Sequence, residues 1–358
     1  HNDEEVRRYM EIILSGKIEN PVLVDQYLMG KELEVAVISD GTDVLIPGVM
    51  QHIERTGVHS GDSIAVYPPF SIGDKMLQTI VACSEKLALS LKTRGLINIQ
   101  YLIYQGELYV FEVNPRASRT VPYISKVTGV PMVVLATRVM VGQPLKALGY
   151  GTGLYKRPPY VAVKVPVFSF EKITDANAAL SPEMKSTGEV LGLGANMQEA
   201  LFKGLVSAGY KVEKSGHAGV LISVNRRDQP EIVNIARKLD EMGFRLYATD
   251  GTAREISRLG TDVEVVGKLG RDNRVFQLLE SGRIDYVILT GSTEPEYIRD
   301  FIHLNHRCVQ LGIPCLTSLD TAGALTDILA SRYNQENTEL VDICHLRTER
   351  QKLPFAKM

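Results

Sequence analysis

The second half of the chain alternates strand-like and helix-like segments in a regular order, and this alternation restricts the fold more than any other feature. Five short apolar runs fit strands, at 220–224, 244–249, 263–266, 286–289 and 315–317. Amphipathic segments fit helices near 230–242, 252–259, 273–281, 294–311 and 319–333. Five βα units in succession predict an α/β domain with a five-stranded parallel, Rossmann-like sheet and helices on both faces.

The predicted carboxyl ends of these strands carry hydroxyl groups, glycines and one lysine. In such sheets, ligands bind beyond the carboxyl ends of the strands, and helix N-termini there favour anions. The candidate anion-binding residues are Thr249, Thr252, Lys268 and Thr290. An ordinary doubly wound domain with capped helix starts is the alternative on pattern alone.

In the first half, the stretch 107–119 places polar groups inside an apolar strand. Residues 108–113 are mostly aliphatic or aromatic and predict a buried strand, into which Glu112 and Asn114 are inserted on one face. Pro115 then ends the strand, and Arg116 and Arg119 follow.

A buried carboxylate needs a partner or a metal, because burying it alone is costly. Two oxygen donors followed by two guanidinium groups suit Mg²⁺ together with a phosphate. An edge strand with a structural salt bridge is about equally compatible with the residues alone.

Four motifs resemble one family. Residues 112–122, Glu-Val-Asn-Pro-Arg-Ala-Ser-Arg-Thr-Val-Pro, resemble the second ATP-grasp unit of the carbamoyl-phosphate synthetase large subunit. Residues 57–63 and 186–189 are similar to the same family. Residues 244–253 resemble its methylglyoxal-synthase-like regulatory domain. The resemblance implies a ligase that phosphorylates carbamate with ATP to give carbamoyl phosphate, for pyrimidine or arginine synthesis.

The resemblance also implies a set of site residues. Mg²⁺ or Mn²⁺ is expected on Gln100, Glu112 and Asn114, with Arg116, Arg119 and Asn114 in catalysis. The residues expected to contact ATP are Gln26, Leu28, Glu32, Gly57, Val58, His59, Ser60, Gln100 and Glu112. From the residues alone, Glu32 is an ordinary exposed turn carboxylate.

The chain is expected to divide into four parts. Residues 1–150 form a partial ATP-grasp domain, 151–213 a connector, 214–346 the regulatory domain and 347–358 a tail. Within the first part we expect an amphipathic helix over 2–15, a strand over 22–28, a hairpin of 33–37 with 44–46 and a loop over 52–63. A helix over 74–93, a strand over 96–103 and helical structure over 125–147 follow.

Charge and cysteine usage restrict the partners. The formal net charge is −2, and no basic run suits nucleic acid or a membrane surface. Four scattered cysteines are typical of a reduced, cytoplasmic protein, and no redox cofactor is expected. The resemblance implies a glutamine amidotransferase small subunit, bound by the complete large subunit, and a small anionic allosteric effector. Homo-oligomerisation is left open.

The sequence departs from the family where an effector binds. The region of an expected phosphate-binding lysine reads Asp228-Gln-Pro-Glu231, and Leu289 replaces an expected asparagine. Val165 replaces the glutamate of the ornithine-responsive pattern. The sequence therefore identifies neither the effector nor which pathway, pyrimidine or arginine synthesis, the protein serves.

Two other functional readings stay open. One is a different ATP-grasp carboxylate–amine ligase. The other is a non-catalytic, effector-binding fragment. We expect the isolated chain to make no carbamoyl phosphate, because it begins partway through the ATP-binding unit and the segments that should cover the ATP phosphates are not in it.

Overall fold

The computed structural model describes residues 3–16, 21–22, 24–169, 179–212, 218–267, 273–291, 295–331 and 333–343. Within these ranges the chain forms two sheets with helices packed against them. None of the helices in these ranges is long and apolar enough to cross a membrane.

The helices and strands follow the chain in two groups. The helices are α1 Asp3–Leu14, α2 Asp74–Ser90, α3 Val121–Thr128, α4 Met132–Met140, α5 Met197–Ser207, α6 Gln229–Glu241, α7 Asp250–Ser257, α8 Arg274–Glu280, α9 Pro295–Leu311 and α10 Leu319–Ala330, with a 3₁₀ turn at Leu145–Leu148. The strands are β1 Lys31–Ser39, β2 Val44–Arg55, β3 Ala65–Tyr67, β4 Gly95–Tyr104, β5 Glu107–Asn114, β6 Gly153–Leu154, β7 Val161–Val167, β8 Gly188–Gly194, β9 Gly219–Ser223, β10 Arg245–Thr249, β11 Glu264–Val266, β12 Tyr286–Leu289 and β13 Cys315–Leu316.

The first sheet is built around β1, whose side chains alternate between two environments. Its strand order is β5-β4-β1-β2-β3-β7-β8, and β6 pairs with β2. Leu33, Val35 and Val37 pack in one core with residues of α2. The even-numbered Glu32 and Glu34 point to the other face, because successive side chains on a strand alternate. The strands β7 and β8 of the predicted connector extend this same sheet.

The second sheet confirms the prediction from the βα alternation. Its five strands are all parallel, in the order β11-β10-β9-β12-β13. Val220 and Ile222 face a core shared with β7 and α5, whereas Leu221 faces the core under α8 and α9. Both faces of the sheet are therefore covered, and the shared core joins it to the first sheet.

The prediction of a buried strand at 108–113 is wrong. β5 is an edge strand, and Tyr109, Val110, Phe111 and Glu112 are exposed. Apolar composition predicts a strand, but the number of neighbouring strands decides whether it is buried. In the described part of the chain, β5 has only β4 beside it.

Three other boundaries also differ from the prediction. The described residues of 22–28 form no strand, since the first ladder starts at Lys31. The predicted loop at 52–63 begins as the end of β2, which runs to Arg55. The helical region 125–147 is two helices, because α3 ends at the left-handed Gly129 and Pro131 follows before α4.

Candidate functional site

The three predicted metal ligands lie on two neighbouring strands. Gln100 in β4 is directly opposite Glu112 in β5, and Asn98 is opposite Asn114. Directly opposite residues of an antiparallel pair have Cβ atoms about 5 Å apart. The oxygen donors of Gln100, Glu112 and Asn114 therefore share one small area of the sheet.

A tight turn between β2 and β3 approaches this area. Gln100 Nε2 donates a hydrogen bond of 3.3 Å to Ser60 Oγ. The backbone folds back on itself here, since the amides of Asp62 and Ser63 donate to His59 O, and Gly61 N donates to His59 Nδ1 at 3.0 Å. The predicted ATP-contact residues of the turn and the predicted metal ligands thus meet through Ser60.

The two predicted arginines differ in their contacts. Arg116 is exposed, and within the described structure its side chain donates only to the neighbouring Ala117 O, at 3.0 Å. Arg119 is half-buried, and its Nη1 contacts Met184 Sδ, Ser186 O and Ser186 Oγ at 2.9, 3.2 and 3.1 Å. The side chain of Arg119 therefore makes three polar contacts with Met184 and Ser186, whereas that of Arg116 makes one, with its chain neighbour.

The three residues predicted to contact the adenine and ribose differ in their exposure to solvent. Gln26 is exposed and Leu28 half-buried in the irregular segment before β1. Glu32 is 6% exposed, so the interpretation as an ordinary exposed turn residue is wrong. Its carboxylate lies 3.2 Å from His52 Nδ1, because β1 and β2 are paired and present both side chains on one face.

A buried network next to these residues was not predicted. Glu34 Oε1 accepts hydrogen bonds from Asn98 Nδ2 at 2.5 Å and Thr120 Oγ1 at 2.6 Å. Its other oxygen, Oε2, lies 3.8 Å from His52 Nε2. The alternation of Glu32 and Glu34 with apolar residues on β1 was the available signal, because it places both carboxylates on one face.

This network shifts two pKa values. Burial lowers the pKa of His52, but the adjacent carboxylates of Glu32 and Glu34 outweigh burial and raise it to about 9. Burial raises the pKa of Glu34, but His52 and Thr120 outweigh that effect, so the net shift is downward. His52 is therefore a cation at neutral pH, held between two carboxylates.

Lys164 in β7 was also missed. It is fully buried, and its Nζ donates to Ser60 O at 2.9 Å and Gly61 O at 3.4 Å. Burial lowers its pKa against the attraction of Glu34, Glu189 and Glu54. A strand of the predicted connector thus holds the turn that carries Ser60.

The predicted anion site at the second sheet is assembled in part. Ser223 Oγ and Thr249 Oγ1 are 3.2 Å apart, and Thr252 Oγ1 accepts from Val224 N at 3.2 Å. Thr290 Oγ1 accepts from Asn225 N at 2.9 Å. The ends of β9, β10 and β12 therefore bring three of the four residues together. Lys268 lies outside the described residues.

The donor types fit a hard divalent cation. Gln100 uses its amide nitrogen on Ser60, which leaves the amide oxygen for a metal. No group of three or more His, Cys, Asp or Glu side chains in the described ranges could hold a metal ion. The predicted set combines one carboxylate with two amides, which is an oxygen-only set.

Comparison with known proteins gives the family. Residues 2–148 match the family model described as "Carbamoyl-phosphate synthase L chain, ATP binding domain", and residues 231–317 match that of the "MGS-like domain". The chain is 45% identical over 344 residues to the carbamoyl phosphate synthase large chain of Clostridium perfringens strain 13, and 47% identical over 345 residues to that of Lachnoclostridium phytofermentans. The chain therefore carries a carbamoyl-phosphate synthase ATP-binding domain and an MGS-like domain, and these relatives are carbamoyl phosphate synthase large chains.

The alignments cover 96% of this chain and 32% of each of these large chains, so the chain spans about a third of the length of the relatives it matches.

Two solved structures are also similar. They are the biotin carboxylase domain of a single-chain bacterial carboxylase (20% identity, TM-score 0.36, 47% of this chain and 43% of that one) and N5-carboxyaminoimidazole ribonucleotide synthetase from Thermotoga maritima (16% identity, TM-score 0.40, 53% and 56%).

The ATP-binding and MGS-like domains of this chain share a cleft of about 800 Å³. Gly57 and Val58 of the β2–β3 turn line one side. Thr290 and Asn225, at the strand ends of the second sheet, line the other side. Two regions that were predicted as separate sites therefore open onto the same cavity.

Proposed function

We propose that this chain carries the site that phosphorylates carbamate in a carbamoyl-phosphate synthase, with ATP and Mg²⁺ (or Mn²⁺). The observation that carries the proposal is the meeting of Gln100 with Glu112 across two strands and with Ser60 of the turn. Oxygen donors and a glycine-containing turn next to one another suit a metal-bound nucleotide.

In this proposal, Gln100, Glu112 and Asn114 would hold the divalent cation, which would neutralise charge on the ATP phosphates when bound. Arg119 stabilises the transferring phosphoryl group and orients carbamate, and Arg116 assists from its exposed position. The backbone of Gly57, Val58, His59 and Ser60 approaches the nucleotide, while Gln26, Leu28 and Glu32 contact its base and ribose. Catalysis then depends on positioning and charge rather than on a covalent intermediate.

The test uses a full-length large chain that carries this segment. Glu112→Ala is expected to reduce formation of carbamoyl phosphate from bicarbonate, ammonia and ATP to below detection. Glu107→Ala is the matched control, because Glu107 is an exposed carboxylate at the start of the same strand, opposite Tyr104 and away from Gln100. Circular dichroism of both variants checks that the fold is unchanged.

Near-normal turnover by the Glu112→Ala variant contradicts the assignment. Equal losses in both variants also contradict it, because the effect then belongs to the strand rather than to the metal ligand.

We also propose that the MGS-like domain binds a small anionic effector at Thr249, Thr252, Lys268 and Thr290. The shared cleft supports this second function, because an occupant at Thr290 would be close to Gly57 and Val58. A non-catalytic role as an effector-binding fragment is the alternative for the isolated chain. Direct titration of the 358-residue chain with phosphorylated metabolites tests effector binding, and the carbamoyl phosphate assay of the full-length large chain tests catalysis.

The remaining proposals concern the partner subunit, the cellular location and the pathway. The large chain is expected to receive ammonia from a glutamine amidotransferase small subunit and to act in the cytoplasm, in pyrimidine or arginine synthesis. Co-purification of the full-length large chain with a small subunit tests the first expectation.

A further inference from the structure

Ser186 lies where the segment before β8 crosses the candidate site. It is 6% exposed and stands between Arg119 and the β2–β3 turn. Arg119 Nη1 donates to Ser186 Oγ at 3.1 Å and to Ser186 O at 3.2 Å. Ser186 Oγ in turn donates to Gly61 O at 3.1 Å. One hydroxyl therefore joins the catalytic arginine to the turn that carries Ser60.

The direction of this hydrogen-bond chain is fixed. A guanidinium nitrogen only donates and a carbonyl oxygen only accepts, so the hydroxyl of Ser186 has one compatible orientation. Its backbone is fixed as well, because Ser186 N and Lys185 N donate to the two carboxylate oxygens of Asp62 at 2.9 and 2.8 Å. Asp62 is 1% exposed. The serine is therefore held from both the backbone and the side chain.

The contacts of Arg119 divide its donors into two groups. Nη1 is used by Met184 and Ser186, whereas Nε and Nη2 have no acceptor in the described part of the chain. These two nitrogens form the edge of the guanidinium that can bind an oxyanion in a bidentate manner. The contacts at Nη1 thus leave the edge formed by Nε and Nη2 directed to a ligand.

The turn itself depends less on Ser186. Lys164 Nζ also donates to Ser60 O and Gly61 O, so the turn keeps a second anchor when the serine hydroxyl is removed. A loss of the hydroxyl should therefore affect Arg119 more than the nucleotide contacts.

We propose that Ser186 is a positioning residue for phosphoryl transfer, whose hydroxyl orients Arg119 without touching the substrate. This role rests on the proposed function. It predicts a lower kcat with a nearly unchanged KM for the nucleotide.

The assay follows the reverse reaction, formation of ATP from ADP and carbamoyl phosphate, in a full-length large chain that carries this segment. Ser186→Ala is expected to lower kcat about tenfold, as for one hydrogen bond to a charged group. The KM for ADP should stay within about twofold, given the anchor from Lys164. Thr187→Ala is the matched control, because the exposed neighbouring hydroxyl bonds Val167 O and Ser169 instead. Ser186→Thr keeps the hydroxyl and should restore most of the rate.

Guanidinium rescue gives a second readout that a purely structural role would not change. Added guanidinium ion is expected to restore part of the activity of Arg119→Ala, because Ser186 still accepts a hydrogen bond from it. The double variant Arg119→Ala/Ser186→Ala should need a several-fold higher guanidinium concentration.

Should Ser186→Ala fail to fold, Ser186→Cys keeps a similar volume with a weaker acceptor, and an intermediate loss of kcat is expected.

The two failures are distinguishable. A wild-type chain that forms no ATP from ADP and carbamoyl phosphate overturns the proposed function and the role of Ser186 with it. An active wild type whose Ser186→Ala variant matches Thr187→Ala in kcat overturns only the role of Ser186. Identical guanidinium rescue in the presence and absence of the serine hydroxyl does the same.

Discussion

The guanidinium of Arg55 is joined to the carboxylate of Asp320 across the two domains. Arg55 Nε lies 2.9 Å from Asp320, and the backbone amide of Arg55 donates to the same carboxylate at 3.0 Å. Arg55 Nη2 also contacts Glu231 at 2.7 Å. Arg55 is the last residue of β2, and Asp320 is in the first turn of α10, so the contact ties the MGS-like domain to the start of the turn at 56–62.

Asp320→Asn is therefore expected to loosen the turn. The neutral amide loses the charge attraction, so hydrogen–deuterium exchange at residues 56–60 should become faster. Because both side chains are partly exposed, the loss in unfolding free energy should be about 1 kcal/mol. The matched control is Asp327→Asn on the same helix, which breaks an exposed ion pair with Lys238 that does not touch the turn. Equal rates of hydrogen–deuterium exchange at residues 56–60 in both variants would show that the contact of Arg55 with Asp320 does not stabilise the turn.

The contacts of His52 with Glu32 and Glu34 predict that the free energy of unfolding falls at alkaline pH. The folded-state pKa of His52 is raised to about 9 from an ordinary 6.5. The stabilisation is thus fully present below pH 6.5 and is lost as pH rises through 9. The whole change is roughly 3 kcal/mol, and urea unfolding between pH 6 and 10 measures it.

His52→Gln should flatten this pH dependence, because glutamine does not titrate. His303→Gln, on the exposed side of α9, should leave the wild-type dependence unchanged. A His52→Gln curve that still falls between pH 6.5 and 9 would assign the effect to another group; Lys164 is not a candidate, because its lowered pKa makes stability rise with pH.

Lys164→Met is expected to be strongly destabilising. The change removes the donor to two backbone carbonyls of the turn and leaves Glu34 and Glu189 without a buried cation. Breaking a buried charge network in this way costs about 3–5 kcal/mol. Lys238→Met, at an exposed ion pair, should cost no more than about 1 kcal/mol. Urea unfolding of the two variants makes the comparison, and equal midpoints would mean that Lys164 is not needed for stability.

The MGS-like domain should bind uridine monophosphate poorly. Asp228 lies at the N-cap of α6, where the family pattern leads us to expect a phosphate-binding lysine nearby, and its carboxylate accepts from Asn225 Nδ2 at 2.7 Å. A negative charge there opposes a phosphate monoester. Gln229 and Leu289 also depart from the expected residues. Calorimetric titration of the 358-residue chain tests this, and tight binding of uridine monophosphate would contradict it.

For an anion that does bind, Lys268→Ala should weaken affinity about ten- to a hundredfold, as for the loss of one charge-assisted contact. Lys203→Ala is the control, because Lys203 pairs with Glu199 on α5 and is remote from the strand ends. An unchanged affinity would place the anion elsewhere.

The sequence alone determined most of the helices and strands and the face of the sheet on which their side chains lie. The βα alternation after residue 218 required a parallel sheet, and all five predicted strands occur. The hairpin of β1 with β2 and the placement of Glu112 and Asn114 on one face also followed from side-chain alternation. These properties depend on neighbours along the chain, so a single sequence was enough to predict them.

Only the tertiary structure decided which strands have neighbours and which charges are buried together. β5 has the composition of a core strand but lies at an edge. Lys164 reaches Ser60 from more than a hundred residues away, and Arg55 reaches Asp320 from 265. Periodicity reports which face of a strand a residue occupies, but it does not report what packs against that face. Long-range pairing of strands and the local dielectric environment determine these contacts, and a short stretch of sequence specifies neither.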